Sequence, residues 1–379
     1  MRILLVGEYS RLHNSLKEGL TQLGHQAVIV GTGDGFKQYG TDFSIAPKFV
    51  NSNGLFRFFV KAFHKMGINL EEAEKGWRFY KLLPKLKGFD YVQLINSNAI
   101  ETYPWLAKRL YKKLLQQNGP MSLLICGDDT PIVDYCLTGK LKYSILTPYQ
   151  NNKSLKKSYA YTLKYTQNNY RSLFEWVKDK AANIITSDLD YEVPMKALGY
   201  TTTFIPNPIN TDAIAFKPAV VHNKVIIFLG INRHSYTKKG LSYFEDALKI
   251  IADKYPDAVE LIVTENIPYN EYVKLYDSAH ILLDQVYAYD QGYNALEAMA
   301  KGKVVFTGAE TEFTQHYALT QEVAINAVPN TDTLVTDLSF FIENPDAITA
   351  LSQRARTFIE KEHNYLVVAK KYLGVWGAN

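Results

Sequence analysis

Short apolar runs alternate with amphipathic stretches along the first half of the chain. The runs are bounded by turn residues, which is typical of strands buried on both faces, and they predict strands at Ile3–Val6, Ala27–Val30, Tyr91–Ile95, Ser122–Cys126 and Ile184–Thr186. Between several of them the apolar positions recur at helical spacing, which predicts helices at Asn14–Leu23, Glu71–Leu83 and Pro104–Gln117. Because strands that alternate with helices need crossover connections, the pattern indicates a parallel sheet.

The same alternation starts again in the second half. It predicts strands at Val225–Leu229, Glu260–Val263, Ile281–Asp284 and Val304–Thr307, and helices at Leu241–Lys254, Tyr269–Asp277 and Tyr293–Lys301. The final segment, Asp346–Leu373, also has a helical pattern. A chain of 379 residues with 47% hydrophobic content has the size of about two globular domains. We therefore predict an α/β protein with two doubly wound, Rossmann-like domains.

One glycine turn and helix in the second half has the form of an anion site. Gly292 permits close backbone approach, and a helix that opens at Tyr293 and Asn294 would direct free N–H groups at an anion such as a diphosphate. Glu297, one turn further, can accept a hydrogen bond from a ribose hydroxyl. The alternative is an ordinary helix that packs on a strand through Leu296 and Met299.

A second group of residues follows the strand that begins this half. Arg233 comes after the strand, and Lys238, Lys239 and Gly240 come shortly after it. Two cations and helix N–H groups can converge on one pyrophosphate, so we choose Arg233 and Lys238 as diphosphate ligands. Lys239 is the alternative because it directly precedes Gly240. Since ligands of open parallel sheets bind beyond the carboxyl ends of strands, the crevice should also include Glu265.

These passages resemble the retaining glycosyltransferases of the GT-B fold, family four in the usual classification. The family signature is Glu-Gly-Phe-Gly, a few apolar residues and Leu-Glu-Ala-Met-Ala-x-Gly, whose second half matches Leu296–Gly302 closely. The family's first Glu falls on Tyr289, with Asp290 beside it, so the chain is similar to a branch that lacks this Glu. Two further passages, Ala182–Ser187 and Phe204–Asp212, resemble the family's crossing between domains.

The resemblance implies two domains that face a central cleft. An acceptor-binding domain would span 1–206, a nucleotide-sugar-binding domain 207–355, and a terminal helix in 356–379 would cross back to the first domain. It implies a hexosyltransferase that moves a sugar from a nucleoside-diphosphate sugar to a saccharide or lipid-linked acceptor, with retention and without a metal or other cofactor. Such enzymes commonly assemble surface polysaccharide or glycolipid. In that reading Tyr289 or Asp290 contacts the sugar.

Other functions of the same fold class stay open. A nucleotide-sugar epimerase would need acid and base residues on both faces of the sugar, and a catalytically silent binding subunit would fit the loss of the acid at Tyr289. A dehydrogenase is a third alternative, which the cluster Gly31–Gly35 suggests, but this cluster follows the second strand rather than the first and lacks the third glycine. The sequence leaves the base, the sugar, the acceptor and the linkage open.

The acceptor side of the cleft has weaker candidates, at the ends of the first, third and fourth strands. They are Glu8, Ser10, Asn14, Asn96, Asn98, Asp128 and Asp129. Gly127 is followed by Asp128 and Asp129, at a predicted strand end. Asp128 could orient or deprotonate an acceptor hydroxyl, whereas Asp129, before Thr130 and Pro131, is the better helix cap. We therefore take Asp128, Tyr289 and Asp290 as candidate catalytic residues.

Charge is distributed unevenly between the halves. Residues 1–200 hold 27 Lys and Arg against 17 Asp and Glu, and the remainder is acidic. Two basic, aromatic segments, 48–67 and 153–180, suit an anionic membrane surface or a lipid-linked phosphate, although their aromatic residues could equally belong to the core. No nucleic-acid motif accompanies them. Only two cysteines occur, and no run has transmembrane length. We expect a cytoplasmic protein that associates peripherally with the inner face of the membrane.

Overall fold

The computed structural model describes residues 1–35, 39–50, 60, 63, 67–267 and 269–377. The first domain is built on a parallel sheet of seven strands in the order β3-β2-β1-β4-β5-β6-β7. Its strands are β1 Arg2–Val6, β2 Gln26–Gly31, β3 Phe43–Ser44, β4 Tyr91–Leu94, β5 Met121–Ile125, β6 Asn183–Thr186 and β7 Thr203–Phe204. Strand order reverses at β1, which pairs with both β2 and β4.

Helices cover this sheet, and side-chain caps fix where several of them begin. Asn69 accepts hydrogen bonds from the N–H groups of Glu71 and Glu72, and Asp129 accepts one from Thr130, so each caps a helix as its short polar side chain allows. The helices are α1 Leu12–Gln22, α2 Leu70–Leu82, α3 Pro104–Leu115, α4 Thr130–Leu137, α5 Thr147–Asn151, α6 Ala160–Leu163, α7 Asn168–Lys180 and α8 Leu189–Ala197.

The second domain has a five-stranded parallel sheet in the order β12-β11-β10-β8-β9. Its strands are β8 Val225–Ile231, β9 Val259–Glu265, β10 Ile281–Leu283, β11 Val304–Thr307 and β12 Ile325–Asn326. Its helices are α9 Tyr236–Lys239, α10 Leu241–Lys254, α11 Tyr269–Asp277, α12 Tyr293–Ala300, α13 Thr311–His316, α14 Thr331–Glu343 and α15 Pro345–Phe358. Strand order reverses at β8. Each domain has its own cluster of buried apolar side chains.

The last helix, α16 Tyr365–Val375, packs on the first domain. Gly19 of α1 makes this approach close, because a Cβ there would lie 2.5 Å from the carbonyl oxygen of Tyr365. Trp376 stacks on Tyr91 of β4 with ring centroids 5.3 Å apart. A π-helical turn at Ile359–His363 separates α16 from α15, so the helical pattern of the final segment is divided between the two domains.

The predicted α/β class with two parallel sheets is confirmed, and each predicted strand and helix is present within a few residues of its bounds. The predicted pattern did not include the short edge strands β3, β7 and β12 or the helices α5, α6, α7, α8, α9, α13 and α14. Edge strands of two residues are too short to show a period. In the part of the chain described above, no helix is both long and apolar enough to cross a membrane.

The two basic, aromatic segments have different outcomes. Most of segment 48–67 lies outside the described residues. In segment 153–180, Tyr159, Tyr165 and Tyr170 are buried in the core of the first domain. The core interpretation therefore holds for these aromatic side chains. Cys126 and Cys136 are buried free thiols.

Candidate functional site

The carboxyl ends of the two sheets face each other across the domain boundary. Among the contacts between them, two involve charged residues of the predicted site. A guanidinium nitrogen of Arg11, in the turn after β1, lies 3.7 Å from a carboxylate oxygen of Glu297 on α12. The ammonium of Lys238 on α9 donates to the hydroxyl of Thr162 at 2.6 Å. Because strand order reverses at β1 and β8, this boundary lies where open α/β sheets bind ligands.

The N-terminus of α12 is open. Gly292 precedes the helix in extended backbone, and no side chain caps it. A Cβ added to Gly292 would meet only the side-chain nitrogen of Gln285, at 3.9 Å. The first N–H groups of any helix lack partners within the helix, so Tyr293 and Asn294 present donors to this space.

The side chain of Tyr293 is committed to the domain boundary. It is buried, its hydroxyl donates to the carbonyl oxygen of Pro208 at 2.8 Å, and it also hydrogen-bonds to the Ser15 hydroxyl. Only the backbone of Tyr293 is therefore available to a ligand at this helix end.

The structure separates the two candidate lysines. The ammonium of Lys239 donates to the buried carboxylate of Asp284 at 2.7 Å. The amide of Asn294, in the first turn of α12, approaches the same oxygen at 3.4 Å. Lys239 is thereby tied to the open end of α12 through a shared partner. Lys238 points to the first domain, where its ammonium lies 3.9 Å from a carboxylate oxygen of Asp128.

Arg233 and Glu265 lie at the ends of β8 and β9 and pair with each other. Their charged atoms are 2.5 Å apart, and nearly half of each side chain is exposed. The hydrogen bond from Arg233 lowers the pKa of Glu265 and raises that of the guanidinium. Since the pair is exposed, a polyanionic ligand could displace Glu265 from Arg233 at little cost.

Tyr289 and Asp290 are buried between the domains. The hydroxyl of Tyr289 accepts from the backbone N–H of Lys142 at 2.9 Å. The carboxylate of Asp290 accepts from the N–H of Leu189 at 3.1 Å and from that of Gln291. Both side chains thus have partners within the protein, and the contact with a sugar that we predicted for them stays a prediction.

Asp190, which sequence reasoning missed, binds the backbone of Tyr289 and Asp290 from the first domain. Its carboxylate accepts from the N–H groups of Tyr289 and Asp290, at 3.0 and 3.3 Å. Burial raises the pKa of Asp190 to about 7 and that of Asp290 to about 6, and burial next to both carboxylates raises the pKa of Asp188 as well. All three carboxyl groups have a raised pKa because burial removes the water that would stabilise their charged forms, and because the fold brings their negative charges close together.

A second missed acid, Glu310, joins the domains through its side chain. Its carboxylate accepts from the ammonium of Lys142 at 2.8 Å, from the Tyr143 hydroxyl, and from the amide of Asn326 at 3.0 Å. Burial by itself would raise its pKa, but these hydrogen bonds outweigh it and lower the pKa of Glu310 to about 2. Glu310 comes shortly after β11, and this position after a predicted strand was the feature of the sequence that could have identified it.

Glu8, after β1, is buried near the cleft. One carboxylate oxygen accepts from the backbone and the side chain of Asn14, at 2.9 and 2.6 Å. The other oxygen has no hydrogen-bond partner among the described residues. Burial raises the pKa of Glu8 to about 8. A carboxyl group that holds its proton near neutral pH can donate or accept one, so Glu8 joins the acid–base candidates.

Asp128 and Asp129 differ as the sequence suggested. Asp129 is fully buried, caps α4 and accepts from the backbone and hydroxyl of Ser97, which confirms the cap. Asp128 accepts from the Thr162 hydroxyl at 2.5 Å, close to Lys238. Within the described part of the chain, no three His, Cys, Asp or Glu side chains are grouped so that they could hold a metal ion.

Comparison with solved structures decides the architecture. Sucrose-phosphate synthase from Thermosynechococcus elongatus superposes over the full length of both chains with a TM-score of 0.61 at 14% identity. Anabaena HepE in complex with UDP and glucose does so with a TM-score of 0.60 at 12% identity. The protein has the GT-B fold. UDP-GlcNAc 2-epimerase from Neisseria meningitidis, bound to UDP-GlcNAc, shares it, with a TM-score of 0.54 at 13% identity over both full chains.

Sequence comparison locates a narrower likeness in the second half of this GT-B protein. Residues 237–374 match a family model described as glycosyl transferase-like. A phosphatidyl-myo-inositol mannosyltransferase of Mycobacterium leprae is 33% identical over 92 residues, which is 23% of this chain. The match spans about a quarter of that relative, 24% of its length. The resemblance to GT-B glycosyltransferases is thus confirmed for the fold and for the half that contains α12.

Proposed function

We propose that this GT-B protein is a hexosyltransferase that uses a nucleoside-diphosphate sugar as donor. The observation that carries the proposal is the open N-terminus of α12 after Gly292. No side chain caps its first N–H groups, Lys239 is linked to its first turn through Asp284, and Glu297 lies one turn further along the helix. The likeness of residues 237–374 to the glycosyl transferase-like model supports it.

The protein's own groups can stabilise a departing diphosphate. Charge that develops on the leaving oxygens would be neutralised by Lys239 and Arg233 and by the N–H groups of α12, so no metal ion is needed. Lys238, which we chose from the sequence, instead reaches from α9 to Asp128 and Thr162 of the first domain. We further propose that the sugar passes to a saccharide or lipid-linked acceptor on the first-domain side, with retention.

Acceptor activation would fall to a carboxyl group of the first domain. Asp128 and Glu8 both lie at carboxyl ends of its strands, and Glu8 has the unpaired oxygen and the raised pKa that proton transfer favours. Glu8→Gln should lower turnover more than donor affinity, and Asp128→Asn provides the comparison. Equal and small effects of both would remove these two carboxylates from the mechanism.

A screen of UDP, GDP and ADP by thermal shift tests the donor site, with wild type and with Glu297→Ala. A ligand that binds the native state selectively raises the melting temperature by mass action, so one nucleotide should stabilise the wild type and much less the variant. If no nucleoside diphosphate shifts the wild type, the proposal loses its support.

A nucleotide-sugar epimerase is the second candidate, because a solved epimerase shares the fold and Glu8 could supply an acid. Incubation with the donor sugar alone separates the two activities. An epimerase converts the donor without an acceptor, whereas a transferase requires one. A binding subunit that bound the nucleotide would do neither.

A further inference from the structure

Aromatic side chains are exposed together on the outer face of the first domain. Trp77 and Tyr80 of α2 and Trp105 of α3 are 43%, 52% and 57% exposed, and Phe49, before α2, is 55% exposed. Two of the chain's four tryptophans therefore face water on one side of the molecule. A cluster of large exposed aromatic side chains marks an interaction site, whereas isolated ones do not.

These side chains form one surface because α2 and α3 lie against each other. Gly76 allows the approach, since a Cβ there would lie 2.4 Å from a methyl carbon of Leu106. Lys113 of α3 sits over the ring of Tyr80 of α2 at 4.8 Å from its centroid. We call this surface, with Phe49, Trp77, Tyr80, Lys81, Trp105, Arg109, Lys112 and Lys113, the aromatic face.

The charge of the aromatic face is almost entirely positive. Lys81 lies 3.8 Å from the Trp77 ring centroid, and Arg109 lies 5.1 Å from that of Trp105. Lys112 and Lys113 extend the row along α3. Along α2 and α3, both described throughout, Glu71 in the first turn of α2 is the one acidic residue at an exposed position.

We propose that the aromatic face binds the surface of a bilayer that contains anionic phospholipid. Tryptophan and tyrosine favour the membrane–water interface because their rings are apolar with a polar edge, and each nearby lysine or arginine adds attraction to anionic headgroups. Helices with this composition lie on a membrane rather than across it. The charge of the face thus matches this partner, and its aromatic content distinguishes it from a merely solvated basic surface.

The position of the face suits the proposed reaction. Tyr103, next to α3, donates to the carbonyl oxygen of Asn69 at 3.0 Å and accepts from its N–H at 2.6 Å, which joins the starts of α2 and α3. Since α3 begins after β4, both helices start at the cleft edge of the sheet. Binding would therefore hold the acceptor wall near the membrane plane. This deepens the proposed function, and rests on it for the use of a lipid-linked acceptor.

Vesicle sedimentation tests the proposal with the full-length protein. The vesicles consist of phosphatidylcholine alone or mixed with phosphatidylglycerol. We expect binding to the mixed vesicles only, and a partition coefficient at least about tenfold lower for Lys112→Glu with Lys113→Glu. The matched control is Lys156→Glu with Lys157→Glu, which makes the same charge change at exposed positions elsewhere in the domain and should alter binding less than about threefold.

A second readout tests contact without a charge change. Brominated lipid in the mixed vesicles should quench tryptophan fluorescence, and Trp77→Phe with Trp105→Phe should remove most of this quenching. Three results would each overturn the proposal. They are an equal loss of vesicle binding in the two lysine-pair variants, binding to vesicles without anionic lipid, and quenching that survives both tryptophan substitutions. A wild-type dimer that Trp77→Ala with Trp105→Ala converts to monomer would also overturn it, because the face would then be a self-interface.

Nucleotide stabilisation, measured on the same samples, keeps the two proposals apart. If nucleotide still stabilises the protein but the vesicles do not bind, the proposed membrane binding by the aromatic face is overturned and the proposed donor site is unaffected. Vesicle binding without any nucleotide effect overturns the proposed donor site instead. A normal melting temperature in each variant shows that lost binding is not lost folding.

Discussion

Arg11 and Glu297 meet across the domain boundary, with a guanidinium nitrogen 3.7 Å from a carboxylate oxygen. The acid that we predict to hold a ribose is therefore in contact with a cation of the opposite domain. Arg11 also pairs with Glu18 of α1 at 3.0 Å, which holds its side chain in place. A ribose held by Glu297 would therefore lie beside a cation of the opposite domain.

Glu297→Gln should weaken binding of the preferred nucleoside diphosphate by about tenfold or more. A charge-assisted hydrogen bond contributes roughly 1.5–3 kcal/mol, and a neutral amide cannot replace it fully. Isothermal titration calorimetry measures the effect. The exposed Glu260→Gln in β9 is the control. Unchanged affinity in Glu297→Gln would show that this carboxylate does not contact the ribose.

Lys239→Gln should weaken nucleotide binding by about tenfold or more, whereas Lys238→Gln should change it by less than about threefold. Lys239 is tied to the open end of α12 through Asp284, while Lys238 contacts Thr162 of the other domain. Glutamine can keep a hydrogen bond to the buried carboxylate, which limits structural damage. Titration at low and high salt checks the result. A larger effect at Lys238 would reverse the assignment.

Glu310→Gln should lower the melting temperature near neutral pH by a few degrees. The wild-type pKa is depressed to about 2 from an ordinary 4.5, so the charged group stabilises the folded state above pH ~4.5 and loses this contribution as the pH falls toward ~2. The difference between wild type and variant should therefore shrink across that interval in thermal melts. A constant difference would mean that the carboxylate charge is not what joins the domains.

The wild type should lose stability as the pH rises from about 4 to about 7, and Asp190→Asn should lose less over the same interval. Burial raises the folded pKa of Asp190 to about 7, above the ordinary 3.8, so the folded state binds more protons in that interval and stability falls with rising pH. Asparagine can still accept from the N–H of Tyr289. Chemical denaturation at several pH values gives the slopes, and equal slopes for both proteins would contradict the shift.

The sequence predicted the fold because periodicity records which residues are buried. Apolar runs such as Ile3–Val6 and Val304–Thr307 lie inside parallel sheets. A strand that is buried on both faces is recognisable from its own residues, without knowing which strands lie beside it. The helix at Tyr293 was predictable for the same reason, since glycine on its N-terminal side and an acid one turn in are local features.

The contacts of the candidate residues were not predictable from local features of the sequence. Arg11, Asp190 and Glu310 were missed as components of the site, because each contacts a residue of a distant segment. Glu8 was a candidate from its position after the first strand, but its burial and raised pKa were not predictable. Lys238 and Lys239 are adjacent in the chain, yet they point to different domains. No local pattern distinguishes them, because the direction of each side chain depends on the short helix α9 and on how the domains meet.

By itself, then, the sequence determined two parallel α/β domains and the open helix end at the proposed nucleotide site, because burial periodicity and helix starts depend on residues that are close together in the chain. The tertiary structure decided that Glu297 meets Arg11, that Lys239 meets Asp284, and that Asp290 is buried beside Asp190. These pairs join segments that are remote in the chain, so no local pattern of residues could predict them.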